Sequence, residues 1–241
     1  MKIGILQCDD VTDSLQPDHG NYPEMLLRRL QDHVATSDVV IYRAHRGELP
    51  AAIDECDAYL TTGSRFSVYD PLPWIEALEG FVVRLWEGRK PLVGICFGHQ
   101  LIARALGGEV ERSEKGWGVG VSFNQVIHRK TWMDPWQEKL DLVVSHQDQV
   151  VELPSEAEVL VKSDFCEYYV LQYGDHFLSV QGHPEFSREY SRDLMAARRG
   201  IIPDARLRAG NASLSAEIDA EIMSRWIVNF MHEALVLGRN A

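Results

Sequence analysis

The stretch Leu92-Val93-Gly94-Ile95-Cys96-Phe97-Gly98-His99-Gln100 reads as a buried strand, an abrupt turn and the start of a helix. Pro91 to Ile95 is a short apolar run, suited to a strand covered on both faces. Gln100 to Leu106 carries helical apolar spacing and stops at Gly107-Gly108, a C-terminal stop signal. Cys96 stands at the junction, with a glycine two residues before it and another two after. A nucleophile on so tight a turn is held in a strained backbone conformation, and side chains at those two positions would clash. The sulfur then lies beside the first amides of a helix, which favour a thiolate and can hold a developing oxyanion. Taken alone, the pattern fits a buried structural cysteine equally well.

Upstream, short apolar strands alternate with helices. Lys2 to Gln7 reads as a strand, Asp9 to Gly20 as a loop, and Tyr22 to Val34 as a helix with apolar positions at Met25, Leu26, Leu30 and Val34. Val39 to Tyr42 and Ala58 to Thr62 are further strands. Trp74, Leu78, Phe81, Val82, Leu85 and Trp86 trace one helix face, with Pro73 near its start and Gly88 after it. This is the pattern of an α/β, doubly wound, mostly parallel sheet flanked by helices. Such sheets bind ligands beyond the carboxyl ends of their strands. Gly63 and Cys96 both fall there and can face one crevice.

After Gly118 the pattern changes to strands with turns between them: Val119–Phe123, Leu142–Ser145, Val159–Val161, Tyr168–Leu171 and Phe177–Val180. They predict a small antiparallel addition that returns a strand to the main sheet. Gly116-x-Gly-x-Gly120 is not placed between a strand and a helix and is expected to be a turn. Ser187 to Arg199 and Ala216 to Leu237 read as helices. The whole of 1–241 is thus expected to be one domain, with a C-terminal helical extension over about 187–241.

Composition bounds the function. The chain has 241 residues, 45% of them hydrophobic, and a net charge of −12. That balance argues against a nucleic-acid surface, which needs a basic footprint. Cys8, Cys56, Cys96 and Cys166 are far apart and suggest neither a disulfide framework nor a zinc site. Asp9-Asp10 ends the first apolar run too early for a signal peptide, and no run approaches the ~18 residues of a membrane span. A cytoplasmic setting without membrane contact is the expectation. The histidines form no ligand pattern and there is no Gly-rich phosphate loop, so no metal or cofactor is expected. Trp117, Trp132 and Trp136 are expected to pack rather than to line an entrance.

Directly after Phe177–Val180 comes Gln181-Gly182-His183-Pro184-Glu185. Pro184 pushes His183 toward an extended backbone, and residues two apart in an extended chain project to the same side. Cys96, His183 and Glu185 then match the logic of nucleophilic acyl transfer: a thiolate, an imidazole and a carboxylate that orients it.

Gly94-Ile-Cys-Phe-Gly-His-Gln100 and Gln181-Gly-His-Pro-Glu185, with Thr61-Thr-Gly63 upstream, closely resemble the class I (triad) glutamine amidotransferases. The resemblance runs from about the third strand to residue 186. It implies the flavodoxin-like fold of that family and attack by Cys96 on the γ-amide of glutamine or of a γ-glutamyl compound. His183 is then general base and acid, and Glu185 orients it. The oxyanion is expected between the backbone amides of Gly63 and Phe97, and Gln100 against the substrate. Ser145-His146-Gln147-Asp148 resembles the Ser-His-x-Asp segment of the GMP synthetase glutaminase domain, which implies that Ser145 and His146 hold the substrate's amino-acid end. Where the family has a further Gly and a Pro after Gly63, this chain has Ser64-Arg65, so the loop's shape differs. Arg65 is expected to be a solvated loop charge.

No ATP-using domain is expected to follow. The chain is therefore similar to the stand-alone, GMP-synthetase-like members of the family, some of them γ-glutamyl peptide hydrolases. Two other readings accompany that one: a glutaminase subunit handing ammonia to a separate synthase, and a non-catalytic binding protein on the same fold.

Overall fold

A computed structural model describes residues 1–35 and 38–238; residues 36–37 and 239–241, the latter closing the expected helical extension, lie outside the described residues. The first half runs β1 (Ile3–Leu6), α1 (Gln16–His19), α2 (Tyr22–Leu30), β2 (Val39–Tyr42), β3 (Ala58–Thr61), α3 (Pro73–Glu87), β4 (Leu92–Ile95) and α4 (Phe97–Ala105). The second half adds β5 (Glu109–Arg112), β6 (Gly118–Ser122), β7 (Gln125–Val126), β8 (Leu142–His146), β9 (Asp148–Glu152), β10 (Ala157–Lys162), β11 (Val170–Tyr173), β12 (Phe177–Val180), α5 (Arg188–Ala197), α6 (Asp204–Ser213) and α7 (Ala220–Gly238).

The main sheet has eight strands in the order β2-β1-β3-β4-β12-β11-β10-β7. Pairing is parallel from β2 through β12 and antiparallel from β12 outward. The antiparallel strands therefore extend the main sheet, and two further ribbons, β5-β9 and β6-β8, stand apart from it. β12 returns beside β4, with Ser179 level with Gly94 and Val180 level with Ile95. That register is what puts residues 181–185 next to Cys96.

Strand alternation sorts the core into two layers. Ile3, Ile5, Leu60, Val93, Ile95, Leu178 and Val180 point to the side carrying α2 and α7, whose Leu26, Leu30, Met223, Trp226 and Phe230 close over them. Leu6, Tyr59, Leu92 and Phe177 point to the other side, against Leu78, Phe81, Leu85, Leu101 and Ile102 of α3 and α4. A third cluster joins Val121 and Val143 of β6 and β8 to Leu194, Met195 and Leu207 of α5 and α6.

Several local expectations shift. The loop before Gly20 contains the one-turn α1. Helix α2 stops at Leu30, and Val34 reaches the core from the turns that follow. Gly118 and Gly120 lie within β6, not in a turn; only Gly116 precedes the strand. Helix α6 shows no apolar stripe in sequence because it buries only Leu207 and Gly210. Strand β5 was equally hidden, being exposed and charged along most of its length.

Two glycines around Cys96 are required by close approach. A Cβ on Gly94 would lie 2.5 Å from the Gly98 carbonyl oxygen, and one on Gly98 would collide with the Thr61 hydroxyl. Gly98→Ala should therefore destabilise the fold by about 2 kcal/mol through overpacking, lowering Tm by roughly 4–8 °C in scanning calorimetry. An unchanged Tm would show that β3 and α4 are not in such close contact.

Candidate active site

Cys96 sits between β4 and α4 with φ 51° and ψ −96°, a conformation that L-residues rarely adopt. Such backbone costs on the order of 1–3 kcal/mol and persists only where the surroundings fix it. Here the Cys96 amide donates to the Val180 carbonyl of β12 (2.8 Å), and the Gln100 amide donates to the Cys96 carbonyl (3.1 Å). One flank is thus tied to the neighbouring strand and the other to the helix. Cys96 is the cap residue of α4, whose leading amides lack intrahelical partners.

His183 and Glu185 come from the segment after β12. The His183 amide donates to the Val143 carbonyl of β8 (2.8 Å), which holds the residue against the β6-β8 ribbon. Its Nδ1 is 2.7 Å from Glu185 Oε1. The chain turns after His183, so the pair meets across that turn and not along the extended backbone that residue alternation predicts. The Phe186 ring stacks flat on the imidazole at 3.8 Å between centroids. Both members of the pair are buried, His183 at 3% and Glu185 at 4% exposure. Burial opposes charge on His183, but the Glu185 carboxylate and the Cys96 sulfur beside it outweigh burial and push its pKa up to about 10.

Gly63 closes the group. A Cβ there would stand 2.7 Å from His183 Cε1 and 3.7 Å from Cys96 Cβ, so cysteine, imidazole and the end of β3 share one point. The loop that follows is pinned. Arg65 is no solvated charge: its guanidinium grips the buried Asp9 carboxylate with two bonds of 2.8 and 3.0 Å, and its amide donates to the same carboxylate at 2.9 Å. The Ser67 hydroxyl donates to Asp148 at 2.5 Å. Phe66 packs edge-on against Trp74, which packs in turn on Phe97.

Cys96, Phe97, Gln100, Ser145 and His146 line one cavity of about 170 Å³ with Ser64 to Ser67, Trp117, Gln147, Asp148 and Arg198. Gln100 directs its amide group to the Asp148 carbonyl (2.8 Å) and to Gln181 Oε1 (3.0 Å). His146 has Nδ1 3.1 Å from the same Asp148 carbonyl; burial drives its pKa down to about 4, so the ring is neutral. The Arg198 guanidinium donates to the Ser145 hydroxyl (2.7 Å) and lies over the Trp117 ring at 5.4 Å. Among the described residues it pairs with no carboxylate within salt-bridge distance. Trp117, expected only to pack, is a wall of this cavity, whereas Trp132 is a core residue. Sequence reasoning missed Arg198 and the side-chain role of Gln181. The latter adjoins Gly182-His183 in the quoted motif, while nothing local marks an arginine at the end of α5. No group of three or more His, Cys, Asp or Glu among the described residues is placed to hold a metal ion.

The arrangement can form a thiolate, move a proton through His183 and hold negative charge at the start of α4. Because the folded-state pKa of His183 lies above its ordinary 6.5, the buried ion pair stabilises the fold fully below about pH 6.5. That stabilisation fades as pH rises through about 10. In urea melts, wild-type stability should fall more steeply over this window than that of Glu185→Gln, and imidazole NMR should show a lowered His183 pKa in the variant. Equal slopes would contradict the ion pair.

The sequence matches the class-I glutamine amidotransferase family model over residues 17–200. It is 31% identical over 184 residues to γ-glutamyl peptidase 4 of Arabidopsis thaliana, spanning 73% of this chain and 72% of that one. It is 30% identical over 167 residues to the glutamine-hydrolyzing GMP synthase of Pyrobaculum aerophilum, spanning 69% of this chain but only 31% of that protein. The glutamine amidotransferase structure from Methylobacillus flagellatus superimposes with a TM-score of 0.72, covering 98% of this chain and 94% of that one at 22% identity, a likeness of fold. With the family matched over residues 17–200, most of its length, the chain belongs to the class-I glutamine amidotransferases, a family of enzymes.

Proposed function

We propose that the protein is a cysteine hydrolase that cleaves the γ-amide of a γ-glutamyl compound through a thioester on Cys96. The observation that carries this reading is the strained Cys96 turn set beside the buried His183–Glu185 pair, so close that a Cβ on Gly63 would meet both. Cys96 Sγ attacks the γ-carbonyl carbon while His183 holds the thiol proton. The carbonyl oxygen takes up the electron pair and accepts hydrogen bonds from the amides of Gly63 and Phe97. As the tetrahedral centre collapses, His183 delivers the proton to the departing nitrogen, and amine or ammonia leaves. A water then attacks the γ-glutamyl thioester, losing its proton to His183, and glutamate departs as the thiol is restored. Glu185 keeps the imidazole oriented and its charge compensated throughout.

The cavity fits the amino-acid end of such a substrate. Both amide hydrogens of Gln100 are engaged by Asp148 and Gln181, so its Oε1 is left as an acceptor for the substrate's ammonium group. Ser145 and His146 form the adjoining wall, and Arg198 supplies the positive charge for a substrate carboxylate. The likeness to a γ-glutamyl peptidase favours γ-glutamyl peptides as substrates. We infer that one domain spanning 1–241 hydrolyses them without a cofactor, in the cytoplasm. The likeness to GMP synthases favours a second reading, a glutaminase working with a separate synthase subunit.

Purified protein incubated with γ-glutamyl dipeptides and with glutamine should release amino acid faster than ammonia, with no partner added. Ammonia release that appears only with a synthase present would support the second reading. No release from either substrate would leave a binding protein. Cys96→Ser should lower kcat/KM by at least about 10³-fold while preserving the circular-dichroism spectrum. Arg198→Ala should raise KM about tenfold or more with kcat nearly unchanged; a loss confined to kcat would remove the carboxylate role.

A further inference from the structure

Gln181 sits where an apolar residue would ordinarily be found. It directly follows the buried strand β12 and is fully buried at 0% exposure. A side-chain amide is tolerated there only if its polar atoms are matched. Its partners run in a single chain across three parts of the fold.

The chain starts at a group whose role is fixed. The Asp148 main-chain carbonyl can only accept, so the side-chain atom of Gln100 lying 2.8 Å away is the amide nitrogen. The same NH₂ reaches Gln181 at 3.0 Å and must meet its carbonyl oxygen. Gln181 therefore turns its own NH₂ the other way, where the atom in reach is Cys96 Sγ at 3.5 Å. Neither glutamine can flip without leaving a buried donor facing a donor or an acceptor facing an acceptor. Gln100 and Cys96 are themselves only 4% and 5% exposed, so water offers little alternative.

A neutral thiol is a weak acceptor; a thiolate accepts a charge-assisted hydrogen bond. We propose that Gln181 is a positioning residue for the nucleophile: its amide, oriented through Gln100 by the Asp148 carbonyl, holds the Cys96 sulfur in place and favours its thiolate form. The inference rests on Cys96 being the nucleophile. It also ties the sulfur to the wall of the substrate cavity, because Asp148 and Gln100 both line that cavity.

The test reads the thiolate without any substrate. Alkylation of Cys96 by iodoacetamide, followed by mass spectrometry of its peptide across a pH series, reports the fraction of thiolate. The midpoint should rise by about one unit in Gln181→Met, a tenfold loss of thiolate at pH below the midpoint. Gln181→Glu should raise it further, and Gln181→Asn, an amide too short to reach, as much as Met. In turnover, Gln181→Met should lower kcat by a larger factor than it raises KM, since the Asp148 carbonyl still holds Gln100. Unchanged midpoints in folded Met or Asn variants would overturn the proposal. Should those variants fail to fold, the wild-type protein still decides. The Gln181 side-chain ¹⁵N–¹H resonances should move with the same midpoint as Cys96 alkylation, and resonances indifferent to pH across it would overturn the proposal. Turnover surviving in Cys96→Ser would instead overturn the hydrolase reading, leaving the midpoint comparison intact.

Discussion

The fold around the site depends on one strained residue. Cys96 occupies a left-handed backbone conformation that nothing in its own side chain favours, and the surrounding structure must hold it there. It does so from both sides, through the Val180 carbonyl and the first turn of α4. The approach is possible because Gly94 and Gly98 let strand, turn and helix come into contact without intervening side chains. The strain has a consequence for chemistry. It makes Cys96 the residue at which β4 ends and α4 begins, beside the unpaired leading amides of that helix.

The second constraint is electrostatic. A buried carboxylate and imidazole each lose hydration, and attraction between them offsets that loss only when geometry is good. The 2.7 Å contact, the flat stack of Phe186 and the anchoring of the His183 amide to β8 supply that geometry. The result is an imidazole biased toward its charged form beside a sulfur. His146, buried close by but facing a main-chain carbonyl instead of a carboxylate, is biased toward the neutral form. Two buried histidines thus differ in charge because of what each faces.

The third feature is how the cavity wall is assembled. Asp148 is a junction: its carbonyl receives Gln100 and His146, and its carboxylate receives Ser67 from the loop after β3. Arg65 fixes the start of that loop to Asp9. The Ser64-Arg65 departure from the family pattern is therefore compatible with an ordered loop, because ion pairing and aromatic packing do the work that a Gly-Pro sequence would otherwise do. In a chain of net charge −12, Arg198 places positive charge against the cavity.

Strong local patterns were legible in the sequence. The parallel α/β half could be read because buried parallel strands are short apolar runs and their helices carry continuous stripes. The Cys96 turn could be read because close packing admits little but glycine at two flanking positions. What the sequence left open was set by contacts between distant segments. Helix α6 and strand β5 have few buried residues and so no periodic signature. Arg198 enters the cavity because α5 packs on the β6-β8 ribbon, and Arg65 is neutralised by Asp9, 56 positions away. The sequence by itself marked the residues proposed to carry chemistry, since Cys96, His183 and Glu185 each stand in a motif of a few residues. Only the tertiary structure decided their charge, their orientation and their partners, because those depend on burial and on hydrogen bonds that the register of β12 against β4 brings together.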